Sequence, residues 1–256
     1  MPSGLEQGQE ERSALAAASG GREKRAYVRS MFSDIAGRYD LLNHLLSFNV
    51  DRGWRRRAIR ELQWQRAPQG RYLDLCAGTL DVAAELSATA GFGGTITGAD
   101  FAEPMLRAGR GKGRPGTISP VVADALELPI ADASCDGALV AFGVRNLADL
   151  DAGLREVARV LRPGARFVIL EFTTPPSAIV RAGYHFYFHR LLPVIGGLVS
   201  GNRTAYRYLP ESVAHFPGPD ELADKMRGAG FEAVRHDLLT FGIAALHVGT
   251  RASPRR

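Results

Sequence analysis

The chain has 256 residues, of which 45% are apolar, 23% charged and 8% aromatic, and its 32 basic side chains outnumber 27 acidic ones for a net charge of +5. This composition belongs to a folded globular protein and excludes collagen-like, wholly disordered and disulfide-scaffold classes. No run reaches the ~20 apolar residues of a membrane span, the N-terminus has early acids and no apolar leader core, and the widely separated Cys76 and Cys135 point to a reducing, cytoplasmic setting.

In chain order, residues 1–22 are rich in Gly, Ser, Ala, Glu and Gln without apolar periodicity and read as a flexible tail. Residues 23–66 read as a helical cap. Its first helix spans 22–37, with Tyr27, Met31, Phe32 and Ile35 at helical spacing, and a second covers 40–46. A third covers 51–65, with Trp54, Ala58 and Leu62 as a buried stripe. Arg52, Arg55, Arg56, Arg57 and Arg60 form its outer face. Two readings of that face stand side by side, a solvated helix exterior and contact with an anionic surface.

From residue 71 short apolar runs (72–76, 95–100, 119–124, 136–142 and 166–172) alternate with helical segments near 80–90, 103–110 and 149–161. Alternation at this spacing predicts an α/β fold, a mainly parallel sheet with helices on both faces. Ligands of such sheets bind beyond the carboxyl ends of the strands. Residues 173–217 break the alternation and read as an insertion, an aromatic lid, within a domain spanning 67–256. A helix at 218–230 and strands at 232–239 and 242–250 close the chain, the last two close enough in sequence to pair antiparallel.

The segment YLDLCAGTLD (72–81) is a strand, a turn with one glycine and a helix start. A dinucleotide loop wants G-x-G-x-x-G so that a pyrophosphate can sit on the backbone, and this loop lacks it. One glycine still lets a ligand approach closely. Acids end three successive runs: Asp74, Asp100 and Asp124. Each alone suits a loop or N-cap acid. Together they suit a cationic cofactor containing a nucleoside, since carboxylates accept from ribose hydroxyls and an adenine amino group. His185 and His189 stand four apart without a third ligand at suitable spacing, so no metal is expected.

LDLCAGTLD, GADFAEPML and VVADALELP resemble the nucleotide-binding motifs of class I S-adenosylmethionine-dependent methyltransferases. YDLLNHLLS (39–47) with Trp54, the segment AFGVRNLADLDAGLREVARVLRPG (141–164) and AYRYLPESVAHFPGPDELADKMRGAGF (205–231) narrow the resemblance to the C-methyltransferases of ubiquinone and menaquinone biosynthesis, over about residues 25–250. The resemblance implies a Rossmann-like, seven-stranded sheet with an antiparallel C-terminal strand, and S-adenosyl-L-methionine as cofactor. It assigns Asp74, Gly78 and Thr79 to the loop at the methionine end, Asp100 to the ribose, and Met105, Asp124 and Ala125 to the adenine. Ala141 and Phe142 lead into a substrate-facing loop with Arg145 and Asn146 as catalytic candidates. Tyr39, Asn43, Tyr206 and Tyr208 are candidate substrate contacts.

The implied acceptor is a ring carbon of a prenylated quinol, naphthoquinol or benzoquinol. Such a carbon becomes nucleophilic when a neighbouring hydroxyl, which titrates near ~10 unperturbed, loses its proton. Arg145 is suited to stabilise the phenolate, and the competing reading is an ion pair with an acid such as Asp149. Leu80, where the family has a glycine, is expected to crowd the cofactor or push the loop outward. Asn49 and Asp51 replace a glycine and a histidine of the family's N-terminal signature. A methyltransferase acting on another small apolar acceptor is the alternative, and a nucleic-acid-binding or RNA-modifying protein is a rival of a different class. The clustering of basic residues on one short helix without interleaved aromatics speaks against nucleic acid. A bilayer-dwelling acceptor and a cationic helix together predict peripheral attachment to anionic lipid; a homo-oligomer remains open.

Overall fold

The two faces of each central strand feed different cores. On β1 (Arg71–Leu75), Tyr72 packs into one apolar cluster while Leu73 and Leu75 pack into another. On β5 (Leu161–Phe172), Val168 and Leu170 go one way and Phe167 and Ile169 the other. Side chains alternate across a strand, so a continuous apolar run requires cover on both sides. Each such fully buried side chain contributes about 1.5–3 kcal/mol relative to exposure.

The architecture comes from a computed structural model that describes residues 22–38, 49–187 and 203–253. The remaining strands are β2 (Thr95–Asp100), β3 (Ile118–Val122), β4 (Cys135–Ala141), β6 (Phe231–Leu239) and β7 (Ala244–Arg251). They form one seven-stranded sheet in the order β3-β2-β1-β4-β5-β7-β6. β1 to β5 pair in parallel, and β7 runs antiparallel to both neighbours. This is the mainly parallel sheet with an antiparallel closing strand that the sequence predicts.

The helices are α1 (Arg22–Ile35), α2 (Val50–Glu61), α3 (Asp81–Ser87), α4 (Glu103–Ala108), α5 (Leu150–Val160), α6 (Ala178–Phe186), α7 (Arg203–Ala214) and α8 (Pro219–Gly228). α2 and α3 cover one face of the sheet, α5 and α8 the other. Asp149 caps α5 by accepting from the Ala152 amide at 2.9 Å. A third cluster lies at the carboxyl end of the sheet, where Val28, Met31 and Ile35 of α1 meet Tyr184 of α6 and Tyr208 of α7. The predicted helix at 40–46, and the middle of the predicted insertion, lie outside the described residues.

Candidate active site

A cleft opens beyond the carboxyl ends of β1, β2 and β4. Its wall includes Gly78, Asp100, Met105, Asp124, Ala125, Ala141, Phe142 and Asn146, eight of the residues expected there from sequence. This is the crevice beside the strand where sheet order reverses, the usual ligand position in such folds. Cys76, Phe101, Gly143 and Leu147 complete much of the rim, and Arg25 and Phe32 reach in from α1.

The loop after β1 sets the floor. Gly78 takes φ 52°, which costs a glycine nothing, but Cys76 and Leu80 adopt φ 51° and 63°, a left-handed conformation costing roughly 1–2 kcal/mol for a residue with a Cβ. Leu80 does not crowd the cleft. It is buried in the core, where a Cβ on Gly98 would come within 2.4 Å of its Cδ2 and one on Gly109 within 3.1 Å of its Cγ. Two glycines behind the loop thus make the room that the missing loop glycine would not have needed.

The three strand-end acids separate in role. Asp100 stands on the cleft wall with one oxygen accepting from the Gly78 amide at 2.9 Å and the other from the Ala102 amide at 2.8 Å. Each oxygen keeps a lone pair for a further donor. Burial raises its pKa, opposed by those amides. Asp124 accepts from the Leu126 amide and pairs with Arg25, so α1 is tied across the cleft. Asp74 does not reach the wall. Its carboxyl accepts from the Ala83 amide at 3.0 Å, inside the first turns of α3, and burial lifts it to about 8. Thr79 is likewise buried behind the loop, off the wall. Asp74 and Thr79, expected at the methionine end of the cofactor, are thus buried beside the loop and stand off the cleft wall.

Arg145 and Asn146 share a 3-10 turn (Val144–Asn146) after β4 but serve opposite sides. Asn146 faces the cleft, and its buried Oδ1 has no partner among the described residues. Arg145 turns away, buried, and donates from Nη1 to Glu171 Oε1 at 2.8 Å and to the Phe142 carbonyl. Its guanidinium carbon lies 5.6 Å from the Phe172 ring centroid. The competing reading of Arg145, an ion pair with an acid such as Asp149, finds its pair in Glu171 of β5, while Asp149 caps α5. Tyr208 lies beside this pair, with its ring 5.6 Å from that of Tyr27. Tyr39 and Asn43, and the side chain of Tyr206, lie outside the described residues.

A model of the ubiE/COQ5 methyltransferase family matches residues 20–251. The chain belongs to that family. It is a methyltransferase with S-adenosyl-L-methionine as methyl donor. The family's members include a demethylmenaquinone methyltransferase from Thermus thermophilus, 52% identical over 223 residues that make up 86% of this chain and 100% of that one. A ubiquinone/menaquinone biosynthesis C-methyltransferase from Geotalea daltonii is 46% identical, covering 90% of this chain and 98% of its own. Among solved structures, a methyltransferase from Thermotoga maritima has the same fold at a TM-score of 0.58 and 20% identity, over 87% of this chain and 99% of that one.

The methyltransferase's cleft fits a cationic nucleoside cofactor on its own chemistry. The Cys76 thiol on the wall is pushed well up, first by burial and then by the carboxylates of Asp100, Asp74, Glu171 and Asp124. Of these, Asp100 lies on the wall without an ion-pair partner among the described residues and favours positive charge there. The orphaned Asn146 oxygen offers an acceptor in the same wall, and Phe101, Met105 and Leu147 supply apolar surface for a flat ring. Sequence reasoning missed Glu171 and Arg25. Glu171 had a signal, an acid inside the apolar run 166–172; Arg25 had none, since nothing local ties α1 to Asp124.

Proposed function

We propose that this methyltransferase places a methyl group on a ring carbon of a prenylated quinol, most directly the demethylated precursor of menaquinone. The observation that carries the substrate is the 52% identity, across its full length, to a protein named for that reaction. The geometry is consistent with it: a polar cleft suited to the cofactor and an aromatic cluster suited to a flat acceptor lie on opposite sides of the Val144–Asn146 turn.

When bound, S-adenosyl-L-methionine supplies an activated methyl group, so the protein needs no covalent intermediate. Asp100 holds the ribose hydroxyls, Met105, Asp124 and Ala125 border the adenine, and Gly78 and Asn146 face the methionine end. Ala141 and Phe142 line the cleft where it approaches the acceptor side. Phe142 is locked by its ring contact with Phe172, centroids 4.5 Å apart, and by Trp54 at 6.1 Å. A ring held in this way would help orient the acceptor toward the bound cofactor, and orientation of that kind accounts for much of the barrier lowering in bimolecular reactions. Arg145 stabilises negative charge on the acceptor oxygen in a buried setting where such an interaction is strong. Tyr208 contacts the acceptor, and Tyr39, Asn43 and Tyr206 are sequence candidates for the same role.

Purified protein given labelled cofactor and a panel of demethylated menaquinols, benzoquinols and unrelated small acceptors tests the reading. Label is expected on the naphthoquinol ring carbon. Transfer only to non-quinol acceptors overturns it. We place the enzyme at the cytoplasmic membrane surface, where such an acceptor resides; no described helix is long and apolar enough to cross a membrane.

A further inference from the structure

α1 carries an amine where its apolar pattern calls for a hydrophobe. Val28, Met31 and Ile35 fall on one buried stripe, and Lys24 stands four residues before Val28 on the same face, itself 92% buried with 8% of its surface exposed. Among the described residues no hydrogen bond or ion pair reaches its Nζ. A buried ammonium without a counter-charge is costly, and the ordinary relief is loss of the proton.

Its surroundings sharpen the point. α1 packs on the Val144–Asn146 turn, and α7 packs on the same turn. The buried titratable groups gathered around Lys24 and Arg145 are Glu171 of β5, Tyr184 of α6 and Tyr208 of α7, with Tyr27 of its own helix against Tyr208; on α1, Arg25 pairs with Asp124 at the cleft. On α4, Glu103 and Arg107 pair with each other at the surface. Glu171 is already committed, accepting from Arg145 Nη1, the Arg145 amide and the Phe172 amide. The Tyr208 hydroxyl is fully buried without a described partner. The cluster thus holds one engaged carboxylate, a guanidinium and two groups, Lys24 Nζ and Tyr208 Oη, that no described protein atom satisfies. Burial, and secondarily the Arg145 charge, lower the Lys24 pKa. An arginine beside the site cannot accept a proton.

We infer that Lys24 is the proton acceptor of the methyl-transfer reaction, its amine in the unprotonated form deprotonating the ring hydroxyl of the acceptor. This rests on the quinol reading above. In the step, the O–H bond breaks, its electron pair stays on oxygen, and a new Nζ–H bond forms. The resulting phenolate faces the Lys24 ammonium and the Arg145 guanidinium. After the ring carbon has gained its methyl group, that carbon loses its own proton to solvent while the ammonium returns a proton to the oxygen. One proton leaves per turnover, which balances the positive charge consumed. Tyr208 Oη donates to the same acceptor oxygen and holds it in place.

The test compares the full-length enzyme with Lys24→Arg, Lys24→Met and Lys24→Ala, first confirming by calorimetry with S-adenosylhomocysteine that cofactor-site affinity and thermal midpoint are retained. All three variants are expected to lose turnover by about 100-fold or more, the usual scale for a general base. Small primary amines added to Lys24→Ala are expected to restore rate in proportion to their basicity, and guanidine is not. Lys24→Arg within about threefold of wild type shows that only charge matters, and overturns the proposal; so does failure of amines to rescue. A second readout does not need turnover. 1-Naphthol bound with S-adenosylhomocysteine is expected to ionise at lower pH in wild type than in Lys24→Ala, by spectrum. Identical ionisation in both overturns the role of Lys24, whereas a normal shift in a protein that methylates no quinol overturns only the substrate reading.

Discussion

Asp74 and Leu80 show how a single residue can carry a functional signature and yet act through the loop. Asp74 matches a motif position associated with cofactor binding, but its oxygen meets the Ala83 amide and the cleft wall excludes it. Burial raises its pKa to about 8, opposed by the Ala83 bond and assisted by Asp100. A carboxyl raised in the folded state contributes stability that is present below its unfolded value near 4 and lost as pH rises through 8. Asp74→Asn keeps an acceptor for Ala83 and removes the titration. It is therefore expected to unfold at higher denaturant than wild type at pH 9, to match it near pH 4, and to keep affinity for S-adenosylhomocysteine within about threefold at pH 7, well under the tenfold that ~1.4 kcal/mol represents. A tenfold loss of affinity shows instead that the carboxyl reaches the ligand. Leu80 follows the same logic from the other direction. Its left-handed backbone costs roughly 1–2 kcal/mol, whereas its buried side chain stabilises by a comparable or greater amount, so the departure from glycine is tolerated within the fold.

At the level of elements, the alternating apolar runs made the parallel strands legible, because the inner strands are buried on both faces and must be largely apolar, while β3 is the partly exposed edge. β5 begins at Leu161 rather than 166, since α5 passes into the strand without a loop and Gly164 at φ 81° turns within it. The cleft wall was legible because strand ends place its residues by topology. The acceptor side was not: Arg145, Glu171 and Lys24 come together from a turn, a strand and a helix far apart in sequence, and only packing unites them. β7 holds a further consequence of packing. His247 is buried, its Nε2 bonded to the Pro219 carbonyl at 2.8 Å and its Nδ1 without a described partner. Burial drives its pKa from 6.5 to about 4, with the neighbouring His236 adding to the drop and the Pro219 bond opposing it. The folded state therefore resists a proton that the unfolded chain accepts, and stability present above pH 6.5 is lost as pH falls toward 4. His247→Gln is expected to flatten urea-unfolding stability between these limits by on the order of 3 kcal/mol. Parallel profiles for variant and wild type refute the assignment.

For the whole molecule, the net charge of +5 raised the question of an anionic partner, and the structure redistributes that charge. The arginine face of α2 is largely neutralised at home. Arg55 is buried against Asp51 at 2.8 Å and Asp81 at 3.6 Å, Arg56 meets Glu85 at 3.1 Å, and Arg57 meets Asp237 at 3.0 Å. Asp51, a departure from the family's signature, is one of these partners. Reversing Arg55 is therefore no test of lipid contact, because it strands the buried Asp51 and threatens the fold, and breaking a buried pair typically costs ~3–5 kcal/mol. Arg52 and Arg60 are the exposed arginines of α2 without a described partner. Near an anionic bilayer each basic side chain contributes about 1 kcal/mol, screened over a Debye length. Two such contributions would amount to a weak, salt-sensitive attachment, suited to an enzyme that samples the surface for a lipid-soluble acceptor and leaves again. Flotation with vesicles containing anionic lipid is expected to recover wild type at low salt and lose it at physiological salt. Arg52→Glu with Arg60→Glu is expected to abolish recovery at low salt while leaving the thermal midpoint and cofactor affinity unchanged. Recovery that survives both substitutions, or that occurs equally on neutral vesicles, places the attachment elsewhere on the molecule.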